Sequence, residues 1–436
     1  PGGGGGAMVG YSIALDSTTK REPDLYVVGV VSKNATFSNV EMNERAGQTG
    51  DDMFVIKLTS TGSVKWARRA GGAATDAAYG VAVQDTAFGS GRVVVVGEYA
   101  NTLQVDDNPP VSNLPNPSGF YGDACLLSFN SDGQLLWAIG GGGTGPEVAK
   151  AVAVDAGGAA YATGAWGSPT ATFGGTHVLI EMARQPGDTD LFVMRASAAG
   201  QVEWASSGGG AGVDEGLALA LKPGGGGAYV AGMHTSQPAT FGADVLARTS
   251  VWGGSDMFVS SVSSSGAFLF TNAHGSTGDS VARAVAVDSE GEIAVAGMFS
   301  GRMLTFGGLL KRFPDQVGRI IAYDDTTTVL SAPGPQRLAD VFVVKLNAGG
   351  SELWAANMGG KGVDLATGLA ASARDQSSLY MCGAFTYTAG DGSATFGLYE
   401  KTVVHPSGAN QDAFLTRILP MLIPSAPPFP SPSPPP

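Results

Sequence analysis

An all-β propeller of four-stranded blades is the fold this sequence predicts. Three observations predict it: a segment repeated five times at fixed spacing, a glycine-rich composition with little charge, and chain ends that each hold part of a repeat. The repeats open Asp52-Met53-Phe54-Val55, Asp123-Ala124-Cys125-Leu126, Asp190-Leu191-Phe192-Val193, Asp256-Met257-Phe258-Val259 and Asp340-Val341-Phe342-Val343. A glycine follows the third residue by eight positions in every copy (Gly62, Gly133, Gly200, Gly266, Gly350), and an aromatic follows it by twelve (Trp66, Trp137, Trp204, Phe270, Trp354).

Each repeat reads as four short strands. Phe54 to Leu58 is rich in β-formers, Thr59-Ser60-Thr61-Gly62 is turn chemistry, and Ser63 to Ala67 returns as a second strand. A glycine corner and an acid follow, the acid being Asp76, Glu147, Asp214, Asp279 or Asp364. A third apolar run and a polar turn lead to a fourth run that carries Gly97, Gly164, Gly232, Gly297 or Gly383. A Thr-Phe pair usually closes the repeat (Thr172-Phe173, Thr240-Phe241, Thr305-Phe306, Thr395-Phe396), with Thr102-Leu103 in the first full copy. Runs such as Val93 to Val96 lack alternation, as strands covered on both faces do. The repeated aromatics are expected to fill the space between blades.

The ends complete the count. Tyr11 to Asp16 matches the third run, Leu25 to Gly29 the fourth, and Thr36-Phe37 the closing pair, while Asp412 to Arg417 supplies a further opening. Five full repeats plus this composite make six blades, with seven open if strands lie outside this sequence. The first and last strands are expected to pair in one sheet and close the ring, which would remove exposed edges.

Composition narrows the function. Of 436 residues 66 are glycine, only 14% are charged, and the formal charge is -13, which excludes the clustered cations that nucleic acid requires. No run of 18 apolar residues offers a membrane span. The opening Pro1 to Gly6 reads as a loop, with the natural N-terminus expected upstream. Cys125 and Cys382 occupy non-equivalent places in different repeats and read as two buried free thiols.

The pattern Asp-x-Phe-Val-x-Lys-Leu, then Gly, Leu-Trp-Ala, Gly-Gly-x-x-x-Asp, Ala-Val-Asp and Tyr-Val-x-Gly resembles the SBBP-type β-propeller repeat. Asp340 to Gly360 is a close match, and the resemblance runs over roughly residues 10–418. It implies the propeller fold and an extracellular or surface setting without an assigned reaction.

The domain plan is a glycine-rich leader over 1–9, a propeller over 10–420 and a Pro/Ser-rich tail over 421–436. The tail should be extended polyproline II. It resembles the hydroxyproline-rich glycoproteins of plant and green-algal cell walls, which implies hydroxylation and arabinosylation at Pro427, Pro428, Pro430, Pro432, Pro434, Pro435 and Pro436. Asn34-Ala35-Thr36 is the one N-glycosylation sequon.

The repeats vary most between the Thr-Phe pair and the next opening aspartate. The stretches 104–122 and 308–339 are the long insertions, with an extra hairpin expected from Arg319 to Tyr323 and Thr327 to Val329. Variable loops on a rigid ring are where binding usually lives, so Trp166, Trp252, Arg312, Phe313 and Tyr323 are the candidate binding surface.

No constellation calls for a cofactor, a metal or catalysis. One acid per corner is better explained by capping of backbone N–H groups than by calcium, which wants six to eight oxygens. Four histidines (His177, His234, His274, His405) lack zinc spacing. Ser131-Asp132-Gly133 only partly matches a sialidase Asp box, and no carboxylate pair can be set across one sugar. The reading is a non-catalytic structural or binding module of the cell wall, matrix or cell surface, flagellar surface included, with extracellular proteins or glycans as partners. The alternatives are a glycan-active or lectin-like propeller and an intracellular scaffold.

Overall fold

The structure, a computed structural model, describes residues 7–418 except 17–21, 38–39, 44–49, 85–90, 106–110, 116–120, 181–186, 251–253, 301–302, 307–327, 332–337, 361, 373–377, 387–393 and 396–410. It is an all-β arrangement of six blades. The first blade is Met8–Asp16, Asp24–Val31, Asp52–Leu58 and Val64–Gly71, from the inner strand outward. The second is Ala77–Val83, Val93–Tyr99, Asp123–Phe129 and Leu135–Gly142. The third is Glu147–Val154, Ala160–Trp166, Asp190–Ala196 and Val202–Gly210. The fourth is Asp214–Leu221, Ala228–His234, Asp256–Val262 and Phe268–His274. The fifth is Ser280–Val287, Ile293–Phe299, Asp340–Leu346 and Glu352–Gly360. Three strands of the sixth are described: Asp364–Ala371, Leu379–Thr386 and Gln411–Ile418. The inner strand thus begins at Met8, inside the expected leader.

Blades are offset from sequence repeats by half a repeat. Each Asp-x-Phe strand pairs backward onto the glycine-bearing strand before it, setting Phe54 opposite Gly29, Phe192 opposite Gly164, Phe258 opposite Gly232 and Phe342 opposite Gly297. The glycine is required there. A Cβ at Gly97, Gly164 or Gly297 would overlap the carbonyl oxygen of Ala77, Val148 or Val281 on the inner strand.

This offset corrects one expectation. The first and last strands do not share a sheet: Met8–Asp16 pairs with Asp24–Val31, and Gln411–Ile418 pairs with Leu379–Thr386. Because every opening strand pairs with what precedes it, Asp52–Leu58 already serves the N-terminal pair, and the last opening strand serves the fifth repeat. Inner strands pack one on the next from the first blade to the sixth, but no comparable packing joins the sixth to the first among the described residues.

Two devices join consecutive blades. The first is an aromatic under a turn. Trp66 Nε1 donates to Ser131 O (3.0 Å), Trp137 Nε1 to Ala198 O (3.1 Å) and Trp204 Nε1 to Ser264 O (2.8 Å), each reaching the outer hairpin of the next blade. Gly133, Gly200 and Gly266 in those turns have φ near 80° and lie directly on the indole, leaving no room for a Cβ. Phe270 takes the same place under Gly350, and Asn272 Nδ2 supplies the hydrogen bond to Gly350 O (2.8 Å).

The second device is the Thr-Phe segment, which forms a hairpin rather than ending a strand. Thr170–Phe173 and His177–Ile180 pair together, and the former also pairs with Gly141 and Gly142 of the preceding blade. Thr102–Val105, Ala239–Phe241 and Ala394–Thr395 do likewise with Ala70-Gly71, Gly209-Gly210 and Gly359-Gly360. Phe173 then stacks on Phe192 (4.7 Å) and Phe241 on Phe258 (5.0 Å), which seals each junction. The expected extra hairpin is redrawn by the same rule: Thr328–Ser331 pairs with Met303–Phe306, while residues 319–323 lie outside the described set.

Removing a docked indole should therefore cost both burial and a hydrogen bond. Trp66→Ala is expected to lower unfolding free energy by about 3–5 kcal/mol and Trp66→Phe by about 1–2 kcal/mol, read by urea denaturation. Gly200→Ala, with Trp137 against it, is expected to cost clearly more than Gly62→Ala, which meets open space and bears only the left-handed strain of about 1–2 kcal/mol.

Candidate functional site

The inner strands carry a bulge at one fixed position. Pairing with the second strand skips Tyr11, Tyr79, Lys150, Leu217, Arg283 and Thr367, one residue per blade. The neighbours on either side are small or apolar and pack between blades, so the extra residue is pushed out of the ladder. All six are half-buried or exposed. They form a collar on the strands that meet at the centre of the arc.

Part of the collar is linked. The Tyr11 and Tyr79 rings lie 5.4 Å apart, and Lys150 Nζ sits 4.3 Å from the Tyr79 ring centre. Tyr79 OH donates to Glu98 Oε1 at 2.6 Å. Burial and then this carboxylate push the Tyr79 phenol well above its ordinary range, so it remains a donor. The Tyr11 and Tyr79 rings, the Lys150 ammonium and the Glu98 carboxylate form a stacking and hydrogen-bonding surface suited to a polar ligand. The signal for it was present in the repeat alignment, as the one variable position inside an otherwise small-residue run.

The acids behave differently. Asp76 accepts from the N–H groups of Gly72 (2.7 Å) and Ala100 (2.9 Å), and Glu147 from Gly143 (3.0 Å) and Ser168 (2.9 Å). Asp214 accepts from Gly210 (3.0 Å) and Thr235 (3.1 Å). These are the expected caps. Asp279 is not the fifth member, because Ser280 starts the inner strand at that place and Asp279 is exposed, accepting from the Ser255 N–H at 3.0 Å.

The opening aspartates are buried beside these caps, which sequence reading did not anticipate. Asp52, Asp123, Asp190, Asp256 and Asp340 are all buried. Asp190 and Asp214 share one donor, the Gly210 N–H, at 3.0 Å each. Among the described residues Asp123 Oδ1 has no hydrogen-bond partner, and burial followed by the Glu147 charge pushes Asp123 up to about 8. Burial pushes Asp76 to about 8 as well, against its backbone donors. Among the described residues, no three His, Cys, Asp or Glu side chains come together to hold a metal ion.

The sequence-derived surface is only partly in view. Trp166 is fully buried and does not line a loop: it ends the second strand of the third blade, where Tyr99, Phe299 and Phe385 stand in other blades. Trp252, Arg312, Phe313, Tyr323 and Pro427 to Pro436 lie outside the described residues. Asn34 is exposed in the turn before Ala35–Phe37. Cys125 is a buried free thiol, as expected, whereas Cys382 is exposed on the uncovered face of the sixth blade. His234, fully buried, takes the aromatic place in the fourth blade, and burial pushes its pKa down. No protein-family model matches this chain, and no curated protein matches it.

Two pH effects follow. Asp123 gains its proton more readily folded than unfolded, so its contribution is complete below about pH 4 and lost as pH rises through about 8. Asp123→Asn, which keeps the shape without the charge, is expected to raise the thermal midpoint above pH 8 and leave it unchanged near pH 4, measured across a pH series. His234 acts oppositely, because its folded pKa is depressed: its contribution is present above about pH 6.5 and lost as pH falls below. His234→Phe is expected to raise the midpoint selectively below about pH 6.

Proposed function

We propose that this chain is a non-catalytic extracellular module, a cell-wall, matrix or cell-surface glycoprotein that presents a propeller to protein or glycan partners. The observation that carries the binding reading is the collar. It gathers Tyr11, Tyr79 and Lys150, while the corner acids Asp76, Glu147 and Asp214 are committed to backbone capping. Stacking of polar ligands on tyrosine with a flanking cation is a binding chemistry, not an acid–base pair.

The extracellular part rests on sequence. The repeat resembles the SBBP type, the Pro/Ser tail resembles hydroxyproline-rich wall proteins, and the Asn34 sequon is exposed. The experiment is peptide mass spectrometry of the native protein joined to a glycan and matrix-protein binding screen. Pentose on hydroxyproline between Pro427 and Pro436, with a bound partner lost about tenfold on Tyr79→Ala and Lys150→Ala at unchanged thermal midpoint, is the expected result. Unmodified prolines with a bare Asn34 would remove the extracellular assignment. Turnover of a glycan, abolished by one carboxylate substitution, would replace the module with an enzyme.

A further inference from the structure

The junctions between consecutive blades define what a blade needs from the one before it. It needs an aromatic under its hairpin glycine, a glycine-ended outer strand beside its Thr-Phe hairpin, and an apolar sheet against its inner strand. The first blade has all three acceptors, and none is occupied among the described residues.

The hairpin glycine Gly62 has φ of 83°, as Gly133, Gly200, Gly266 and Gly350 do to within a few degrees, yet among the described residues nothing lies within 4 Å of where its Cβ would stand. The other four are each covered by an indole or phenyl ring from the preceding blade. The hairpin Ala35–Phe37 with Val40–Met42 forms a two-stranded sheet by itself, whereas its counterparts in the second, third, fourth and sixth blades are paired to an outer strand, and the fifth-blade hairpin, also a separate two-stranded sheet, is tied to the preceding blade by the Ser276–Leu304 bridge. The inner strand exposes Val9, Tyr11, Ile13 and Leu15, with Ile13 at 63% where the equivalent Val81 of the second blade is at 8%. Exposed apolar surface of this extent on adjoining elements marks an interaction site.

We propose that this face of the first blade accepts a β-hairpin donated by a polypeptide carrying the same repeat, with an outer strand that bears a tryptophan and ends in Gly-Gly. Its tryptophan docks under Gly62, its glycines pair with Ala35–Phe37, and its apolar face covers Ile13 and Leu15. The geometry of the first three junctions specifies this occupant, because there the indole, the Gly-Gly end and the apolar face are one continuous feature, carried by Trp66, Trp137 and Trp204. A second copy of this chain fits less well. Of its five described outer strands, four already carry the next blade's hairpin, and the fifth, Phe268–His274, has no tryptophan and has Phe270 engaged under Gly350.

The test uses the chain's own hairpin, a synthetic peptide of residues 340–360, DVFVVKLNAGGSELWAANMGG, fluorescein-labelled and titrated against the whole protein. Saturable binding is expected, with slowed hydrogen exchange confined to residues 9–15 and 35–37. A Trp354→Ala peptide is expected to bind about tenfold or more weakly. The protein variant Ile13→Asp, an exposed change expected to leave the thermal midpoint unaltered, should weaken binding similarly. Absence of binding, binding indifferent to Trp354→Ala, or protection elsewhere would overturn the proposal. So would a dimer of the free protein in which residues 9–15 and 35–37 are already protected.

Discussion

An indole clamped beneath the hairpin turn of the next blade is the interaction on which the rest of this architecture depends. It fixes three things together: the turn must contain a left-handed glycine, that glycine must lack a side chain, and the aromatic must sit a set distance along the returning strand. Trp66 under Gly133, Trp137 under Gly200 and Trp204 under Gly266 meet all three with nearly the same geometry. Once this register is set, the Thr-Phe hairpin can reach back to the Gly-Gly end, and Phe173 or Phe241 closes the gap against Phe192 or Phe258. The blades are thus joined by backbone pairing as well as by packing, which suits short strands with few charged residues.

The repeat made most of the fold legible. The spacing of the aspartate, phenylalanine, glycine and tryptophan identified strands, turns and blade number. The partner of each strand was less legible, because a repeat in sequence is not a blade in space. Phe192 lies opposite Gly164, one repeat earlier, and nothing in a single repeat announces that backward pairing. Trp166 was misread for a reason the sequence could have corrected. It stands two places after Gly164, as Tyr99 does after Gly97 and Phe299 after Gly297, and that position is buried in all three. The collar was visible only as variation within a uniform run, where Tyr79, Lys150, Leu217 and Arg283 share a place but no chemistry.

The proposed binding role rests on how the acids and the collar divide the polar groups. Buried carboxylates tie down backbone N–H groups at the blade corners. Burial holds protons on Asp76 and Asp123 that ordinary aspartates would lose. In the binding reading proposed above, the groups offered to a ligand are the bulged residues, held on the inner strands and differing from blade to blade. A nearly symmetric scaffold thereby presents an asymmetric surface, which is what recognition of a particular partner requires.

The central claim is a propeller of six blades joined in sequence, in which the described residues of the sixth blade do not pack on those of the first. Spin labels at Ile13 and Leu415, both on uncovered faces, measure that junction directly by pulsed dipolar spectroscopy once Cys382 is replaced by serine. Packed sheets lie about 10 Å apart, so a junction with room for another sheet gives a separation of about 20 Å or more between the two faces. A single narrow distance near about 10 Å would mean that the sixth blade packs on the first as the others pack on one another, and would contradict the account.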